Sequence, residues 1–490
     1  MKGCSLLLRS RSKDTEPEQE KDVAEFEFDD LKKEYEHFGH PVVSIEINGE
    51  EFENNQYGLG VSDIRVELSA GFEAGMASFV IYNVYDQVYG TFVFDRFKKY
   101  VLLGSSVVIY TGYSASVREV FRGFIAKVNF IYDEDDIPGV MVTAMDMKGI
   151  MMTNNSSKQL KSKTYSAALK EILGAEPYST LISNGVIKAY KISDTPDGQM
   201  NAAASGGMGA IAGAASGIAS GALEGAPGAS EAGNAVSQAG SAQSALGEAG
   251  ELAGGTNQQS SDVYTVEMVG ESDYEFFVRT AKRFNYDFFI LGGELIFRPA
   301  KSDTAIYMNL SVKTGMRNIN VEYDITGLFG KVEVRNVDPG KGKLITSTKK
   351  FSNKISQGSK AKGIVGNLEK VFIDPTVSSK DDASYRANYL VEDMSYRFGT
   401  LEADIIGLPE LVPGRFIQIS GLGKDVENQY YLQEVIHTIN GDGDYITKII
   451  GKAATISDSV GVDSVTGGLN SATGAVSNAA GAISGMGGLF

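Results

Sequence analysis

The chain has 490 residues, which is too long for a single compact core. Hydrophobic residues make up 42% of it, which is enough apolar sequence for several packed cores. Its net charge of −17 argues against nucleic acid or an anionic membrane surface as the main partner. A single cysteine, Cys4, excludes an internal disulfide framework and a cysteine-based metal site.

Residues 1–39 are predicted to form a charged N-terminal arm. The apolar run Leu6-Leu7-Leu8 is too short for the core of a signal peptide, so we expect synthesis in the cytoplasm without one. Residues 12–36 are rich in charge and contain Pro17, which predicts a mobile, solvated segment with helical character near Asp29 to Tyr35. Folded sequence is expected to begin near His40.

The region from Val42 to Asp146 consists of short alternating apolar runs separated by turn residues. Asn48-Gly49, which follows the alternating run Val43 to Ile47, is a strong hairpin signal. Many short antiparallel strands in succession favour a closed or nearly closed barrel. We therefore predict a first tube-like β-barrel over residues 40–155.

A mixed helical and extended pattern follows. Thr164 is a good N-cap for a helix from Tyr165 to Leu173, and Ser272-Asp-Tyr-Glu275 has the spacing of a capping box that opens a second helix. The segment 286–298, with Gly292-Gly293 at its centre, is typical of a hairpin. A small α+β domain is therefore predicted over 160–198 and 262–303.

Residues 199–261, which interrupt this domain, are mostly Gly, Ala, Ser and Gln. Two interpretations stay open, a flexible low-complexity loop or an Ala/Gly helical hairpin that closes only against a partner. Glycines at every fourth position from Gly209 to Gly225 match the small-xxx-small pattern of membrane helices. Few large apolar residues and no flanking Lys or Arg argue against a stable membrane span.

Residues 304–456 are predicted to form a second tube-like β-barrel. Strands are expected over Ile306 to Val337 and from Leu401 to Ile456, with a Lys-rich connector over Lys341 to Lys370 and a helix over 380–397 capped by Ser379. Part of this range repeats the first barrel at a constant offset of 310 residues. The matched positions are Gly104 with Gly414, Val107 with Ile417, Ile109 with Ile419, Phe121 with Tyr431, and Ile125 with Val435.

The residue types that catalysis or metal binding needs are scarce. The three histidines are His37, His40 and His437, and His437 lies in an alternating strand beside Glu434, which indicates a structural role. The acidic run 133–136 is predicted to be a solvated loop, because it lacks the interleaved Gly and distal Glu of a calcium loop. We therefore predict no enzyme activity, no catalytic residues, no cofactor and no metal site.

Two segments of the second barrel resemble a known family. Leu401 to Gly423, which contains Gly-Leu-Pro-Glu-Leu-Val-Pro-Gly-Arg-Phe, and Tyr430 to His437 resemble the tail-hub proteins of contractile phages. The helix, aromatic strand, Gly-Gly turn and Leu-Ile-Phe-Arg strand of 271–299 are similar to the same family. Its members include late control protein D, the hub half of VgrG, and the hubs of R-type bacteriocins and contractile injection systems.

The resemblance implies a structural baseplate hub of mainly β fold class, with two tube-like antiparallel barrels and a small α+β domain between them. Such hubs are homotrimers, so that three chains present six barrels to a hexameric tail tube and a threefold face to a spike. The implied partners are the tube protein, a separate spike protein and other baseplate proteins, within an assembled phage-tail-like particle. Whether that particle is a phage, a bacteriocin or a dedicated injection system stays open.

The C-terminal tail, 457–490, is rich in Gly, Ala and Ser but keeps a heptad spacing of apolar residues. We interpret this spacing as a candidate contact surface, on which three tails associate around the threefold axis or thread into the tube or spike. The candidate trimer or partner contacts are Val462, Val465, Leu469, Val476, Ile483 and Phe490.

Two other functions are alternatives to the hub. One is a tail-associated cell-wall hydrolase, which the many acidic residues permit without identifying a pair. The other is a membrane-active or effector-carrying tip protein, suggested by the Gly/Ala segments.

Overall fold

The computed structural model of the chain describes residues 24–52, 58–114, 116–133, 136–197, 266–338, 341–350, 359–423 and 426–455. The Gly/Ala insertion 199–261, the tail 457–490 and the first 23 residues of the arm lie outside this part of the chain. The six candidate contact residues of the tail therefore stay predictions.

The N-terminal part of the chain is mainly β. Its elements are α1 (Phe28–Glu34), β1 (Pro41–Ile47), β2 (Glu50–Glu51), β3 (Gly60–Ser69), β4 (Met76–Tyr82), β5 (Tyr85–Asp86), β6 (Thr91–Phe92), α2 (Phe94–Phe97), β7 (Ser106–Tyr113), β8 (Ser116–Ile131) and β9 (Gly139–Met145).

The middle part is the predicted mixture of helices and strands. Its elements are α3 (Lys148–Met151), β10 (Asn155–Gln159), α4 (Tyr165–Leu173), α5 (Tyr178–Ser183), β11 (Ala189–Ile192), β12 (Glu267–Ser272), α6 (Asp273–Phe284), β13 (Tyr286–Leu291) and β14 (Glu294–Pro299).

The C-terminal part returns to strands. Its elements are β15 (Ile306–Ser311), β16 (Arg317–Tyr323), β17 (Lys331–Val337), β18 (Leu344–Lys350), α7 (Ser359–Val365), β19 (Glu369–Ile373), α8 (Lys380–Ser395), β20 (Gly399–Ile406), β21 (Phe416–Ser420), β22 (Gln429–Ile439) and β23 (Tyr445–Ala453).

One large, mainly antiparallel sheet contains strands from both ends of the chain, which confirms the mainly β fold class. Thirteen strands belong to it, in the order β16-β20-β23-β22-β3-β4-β9-β8-β7-β1-β2, with β21 attached to β22 and β15 to β21. Along β20 and β23 buried residues alternate strictly with more exposed ones, as a sheet with one face on a core requires. A single hydrophobic cluster lies on that face and includes buried residues of β1, β3, β4, β7, β8 and β9 as well as β15, β20, β21, β22 and β23.

The α+β part has its own core, and its helices begin where the sequence predicts. Thr164 caps α4 by accepting a hydrogen bond from the Ala167 amide, and Ser272 and Glu275 form the predicted capping box at α6. The hairpin of β13 and β14 turns at Gly292-Gly293, as predicted, since both glycines have positive φ. Aromatic side chains of α6, β13 and β14 fill this second core, among them Phe276, Phe277, Phe288 and Phe297.

A separate three-stranded sheet, in the order β18-β17-β19, lies between β16 and β20 in the sequence. It packs on α8, where Val332 and Val334 meet Ala383, Ala387 and Val391. The prediction of a connector over Lys341 to Lys370 is wrong, because this range contains β18, α7 and the start of β19. Most side chains of β18 and β19 are exposed or half-buried, so lysines are tolerated there and the composition resembles that of a loop.

The N-terminal arm is also not free, and the folded chain begins by Ala24 rather than near His40. The predicted helix is present as α1, but Leu31 on it and Tyr35, its C-cap residue, are buried in the main core. The amides of Glu25 and Phe26 donate hydrogen bonds to the carbonyls of Ile306 and Tyr307 on β15. The prediction of a solvated arm is wrong for residues 24–39. Leu31 and Tyr35 are four residues apart, so both lie on one side of this highly charged segment and hold it against the core.

Thr164 gives a direct test of how α4 begins. Thr164→Ala removes the oxygen that accepts from Ala167, and such a cap contributes about 1 kcal/mol. We expect hydrogen exchange of the first-turn amides of α4 to accelerate about fivefold. Thr164→Ser keeps the hydroxyl and is expected to change these rates little, so equal acceleration in both variants would contradict the capping role.

Candidate functional site

The main sheet contains the same arrangement of strands twice. We call β3, β4, β9, β8, β7 and β1 the first strand set, and β16, β20, β23, β22, β21 and β15 the second strand set. In each set the strands pair in the order given. The sets differ in the direction of their last strand, because β1 runs antiparallel to β7 whereas β15 runs parallel to β21.

The two sets also share register shifts in their strand pairing, so single residues of one set can be matched to single residues of the other. The pairing of β3 with β4 shifts register between Ser62 and Arg65, and the pairing of β16 with β20 shifts between Arg317 and Asn320. A residue with positive φ stands at each shift, Asp63 in β3 and Asn318 in β16. Because β-bulges are specific features of a strand, their coincidence shows that β16 corresponds to β3 residue by residue.

The same holds for β8 and β22. The pairing of β8 with β9 shifts register between Ile125 and Lys127, and the pairing of β22 with β23 shifts between Leu432 and Glu434. Lys127 therefore corresponds to Glu434, and the residues that follow them correspond in turn. The predicted repeat is confirmed as a repeat of strand pairing.

The predicted constant offset is correct for β7 and β21 but wrong for β8 and β22. Gly104 donates its amide hydrogen bond to Ile125, 21 residues later, whereas the corresponding Gly414 donates to Leu432, 18 residues later. The hairpin in the second set is therefore three residues shorter. Phe124 and Ile125, rather than Phe121, correspond to Tyr431 and Leu432.

A second signal of the duplication was present in the sequence and was missed. The segments Gly60-Val-Ser-Asp-Ile-Arg-Val-Glu-Leu68 and Gly315-Met-Arg-Asn-Ile-Asn-Val-Glu-Tyr323 share Gly, Ile, Val and Glu at the same positions. The 75 residues that separate β16 from β20 hold the extra three-stranded sheet and α8, so this match has a different offset from that of β7 and β21.

The two strand sets are joined by direct pairing of β22 with β3, which we call the internal junction. It is antiparallel, and its register runs from Glu434 opposite Ser69 to Ile439 opposite Ile64. On the core face, Val435 and Val66 are fully buried. On the other face the paired residues are polar or half-buried, so the junction keeps the alternation of both sets.

A buried polar cluster lies on the core face at the internal junction. His437 is 1% exposed, and its Nδ1 lies 3.1 Å from the hydroxyl of Thr447 and 3.0 Å from that of Tyr445. The Tyr445 hydroxyl also lies 2.8 Å from that of Thr111 on β7, so the cluster connects both strand sets. Burial lowers the pKa of His437 to about 4, and the imidazole is therefore neutral at pH 7.

These contacts agree with the structural role predicted for His437, whose partners are Thr447 and Tyr445. The described residues contain no group of three or more His, Cys, Asp or Glu side chains placed to hold a metal ion. Within the same residues no helix has both the length and the apolar character needed to cross a membrane.

A second buried cluster fixes α1 to both strand sets. Glu410, in the loop between β20 and β21, is 2% exposed and accepts a hydrogen bond from the Tyr35 hydroxyl. Nε of Arg118, on β8, lies 2.8 Å from Oε1 of Glu410, and Nη2 of the same guanidinium lies 3.3 Å from Glu34. Burial raises the pKa of Glu410, although the hydroxyl of Tyr35 and the charge of Arg118 act against that rise.

Solved structures similar to this chain include phage tail proteins. The 43 kDa tail protein of prophage MuSo2 from Shewanella oneidensis has 10% sequence identity and a TM-score of 0.53, with 84% of this chain and 98% of that one covered. A tail protein from Neisseria meningitidis MC58 has 11% identity and a TM-score of 0.50, with 84% and 96% covered. A component of the E. coli type VI secretion system matches with 10% identity and a TM-score of 0.42 over 83% and 76%.

At sequence identities of 10–11%, the similarity to these structures establishes the fold of the chain. The chain has the fold of a phage tail protein, and the predicted resemblance is confirmed at the level of this fold. No protein-family model matches the sequence, and no curated protein matches it.

The neutral, buried His437 predicts a specific dependence of stability on pH. Its pKa is lowered from 6.5 in the unfolded chain to about 4, so the stabilisation is complete above pH 6.5 and is lost as the pH falls toward 4. The loss reaches about 3 kcal/mol by linkage. His437→Gln cannot take up this proton, so the difference in unfolding free energy between wild type and variant should shrink as the pH falls from 6.5 to 4.

Urea denaturation followed by circular dichroism measures this difference, with His40→Gln, at an exposed position, as the matched control. A difference between wild type and His437→Gln that stays constant from pH 7 to pH 4 would contradict a buried neutral imidazole.

The cluster at Glu410 predicts that the arm contributes to global stability. Tyr35→Phe removes the hydroxyl that donates to a buried carboxylate, and we expect the free energy of unfolding to fall by about 1–3 kcal/mol. Tyr89→Phe, at a side chain that is 81% exposed, should change it by less than about 0.5 kcal/mol. Equal urea midpoints for the two variants would show that Glu410 does not depend on the arm.

Proposed function

We propose that the chain is the structural hub of a contractile tail baseplate, a homotrimeric adaptor that joins a hexameric tail tube to a trimeric spike. The observation that carries this proposal is the duplication of the strand pairing within one chain, with matching register shifts in β3 and β16 and in β8 and β22. Three copies of a chain with two equivalent sets supply six similar units, which is the number that a sixfold tube requires.

The similarity of the sets concerns their strands, whereas their insertions differ. The first set carries β5, β6 and α2 between β4 and β7, and the second carries the three-stranded sheet and α8 between β16 and β20. In a trimer, features common to both sets recur six times around the axis and features of one set recur three times. Such a molecule can meet a sixfold ring on one side and a threefold partner on the other.

We further propose that each strand set acts as one tube-like barrel unit, with the small α+β domain between the two units in the sequence. Its chemistry is packing and continuation of β-sheets, without a catalytic step. The tube protein, a separate spike protein and further baseplate proteins are the proposed partners, and the place of action is an assembled phage-tail-like particle.

Light scattering coupled to size-exclusion chromatography tests the trimer, and pull-down with tube protein from the same particle tests the adaptor role. We expect a mass of three chains, near three times 52.4 kDa, and retention of the tube protein by the trimer. A chain that remains monomeric at all concentrations and in the isolated particle would contradict the proposal. Binding of tube protein by a monomer would contradict the symmetry argument in particular.

A further inference from the structure

We propose that the three-stranded sheet β18-β17-β19 binds the surface of an anionic lipid membrane through the face that points away from α8. We call this face the outer face, and residues 331–373, which contain the three strands, the basic module. The inference goes beyond the proposed function and does not depend on the trimer, because it concerns a surface of the single chain.

The charge of the chain is unevenly distributed. The basic module contains ten Lys and Arg residues against three Asp and Glu, a net charge of +7, although the whole chain carries −17. The rest of the chain therefore carries −24. Because salt screens charges beyond about 8 Å, a basic region attracts an anionic surface locally even within an acidic chain. The net charge of the whole chain therefore does not exclude an anionic membrane as the partner of this region.

The strand register shows which side chains share the outer face. Val334 of β17 packs on α8, so Arg335 and Val337 point the other way. Val337 is paired with Leu344 of β18, and Arg335 is paired with Ile373 of β19. Because directly paired residues lie on the same face of a sheet, Val337, Leu344 and Ile373 all belong to the outer face.

These three aliphatic side chains form an exposed group at one end of the sheet. Val337 is 54% exposed, Leu344 is 60% exposed and Ile373 is 81% exposed. Val337 ends β17, Leu344 begins β18 and Ile373 ends β19, which runs parallel to β17. Exposed apolar side chains with polar neighbours mark a site of interaction with a protein or a membrane.

Two exposed lysines lie next to this aliphatic group. Lys341 and Lys343 belong to the loop that joins β17 to β18. Two backbone hydrogen bonds hold the loop, from the amide of Asp338 to the carbonyl of Lys343 and from the amide of Gly342 to the carbonyl of Asp338. Ammonium groups beside aliphatic side chains match the layers of a lipid surface, where phosphate headgroups cover the ends of the acyl chains.

The composition of the outer face favours lipid over a protein partner. Protein interfaces are enriched in aromatic and Arg anchors and depleted of lysine. The three strands contain one aromatic residue, Phe372, which packs on the opposite face against the core at α8. Nε of Arg335 lies 2.6 Å from Oε1 of Glu333, so this guanidinium is already bound within the sheet.

The same composition favours lipid over nucleic acid. Nucleic acid is bound by cations that contact phosphates, or by cations together with aromatic rings that stack on bases. Either arrangement would leave the aliphatic side chains of Val337, Leu344 and Ile373 without a partner, whereas a lipid surface buries them.

Sedimentation with lipid vesicles tests the lysines. The full chain should bind vesicles of phosphatidylglycerol and phosphatidylcholine in equal parts, and should bind vesicles of phosphatidylcholine alone roughly tenfold more weakly. Lys341→Gln together with Lys343→Gln should weaken binding to the anionic vesicles about 25-fold, because each lysine near such a surface contributes about fivefold. The matched control is Lys161→Gln together with Lys163→Gln, two exposed lysines with the same spacing outside the basic module, and it should bind like wild type.

The aliphatic group has its own variant. Ile373→Ser removes the most exposed of the three side chains without changing the charge, and should weaken binding to the anionic vesicles about tenfold. Val88→Ser, at a side chain that is 88% exposed outside the basic module, is the control and should leave binding unchanged.

Three results would overturn the proposal. The first is absence of binding to the anionic vesicles. The second is equal binding by wild type and the Lys341 and Lys343 double variant, which is also the result expected if the Gly/Ala insertion makes the contact. The third is displacement of the vesicles by a DNA duplex that the chain binds more tightly, which would assign the surface to nucleic acid.

Discussion

The antiparallel pairing of β22 with β3 is the contact on which the rest of the molecule depends. It joins two strand sets that are far apart in the sequence into one sheet with one hydrophobic core. Its core face contains fully buried valines, and burial of such a side chain contributes about 1.5–3 kcal/mol. Without this pairing, two sheets with exposed edges would remain, connected through the α+β part of the chain.

Two buried polar clusters specify how the two strand sets and the N-terminal arm pack together. His437 with Tyr445 and Thr111 lies across the two strand sets, and Glu410 with Tyr35 and Arg118 ties α1 to them. A buried polar group is costly when its partner is missing, so alternative packings of the same apolar surfaces would leave these groups unsatisfied. The clusters therefore favour one register of the sheet and one position of the arm.

Local signals in the sequence predicted local structure well. The caps at Thr164 and Ser272, the glycine turn at 292–293 and the helix after Ser379 depend on a few adjacent residues, and all are present. The packed arm and the strands within the Lys-rich connector were not predicted. Both segments have a charged composition typical of solvated chain, but tertiary contacts at Tyr35 and strand pairing along β18 hold them in the fold. The internal junction could not be predicted, since pairing between distant strands leaves no local pattern. The match of 60–68 with 315–323 relates β3 to β16 and does not indicate that β3 pairs with β22.

The duplicated strand set gives one chain two similar units, and we propose that three copies arrange them as six units around one axis. Electron cryomicroscopy of the purified oligomer tests it most directly. We expect a threefold ring in which the two strand sets of each chain, joined by the pairing of β22 with β3, occupy six similar positions around the axis. A ring without threefold symmetry, or one in which the two strand sets do not occupy similar positions around the axis, would contradict this arrangement.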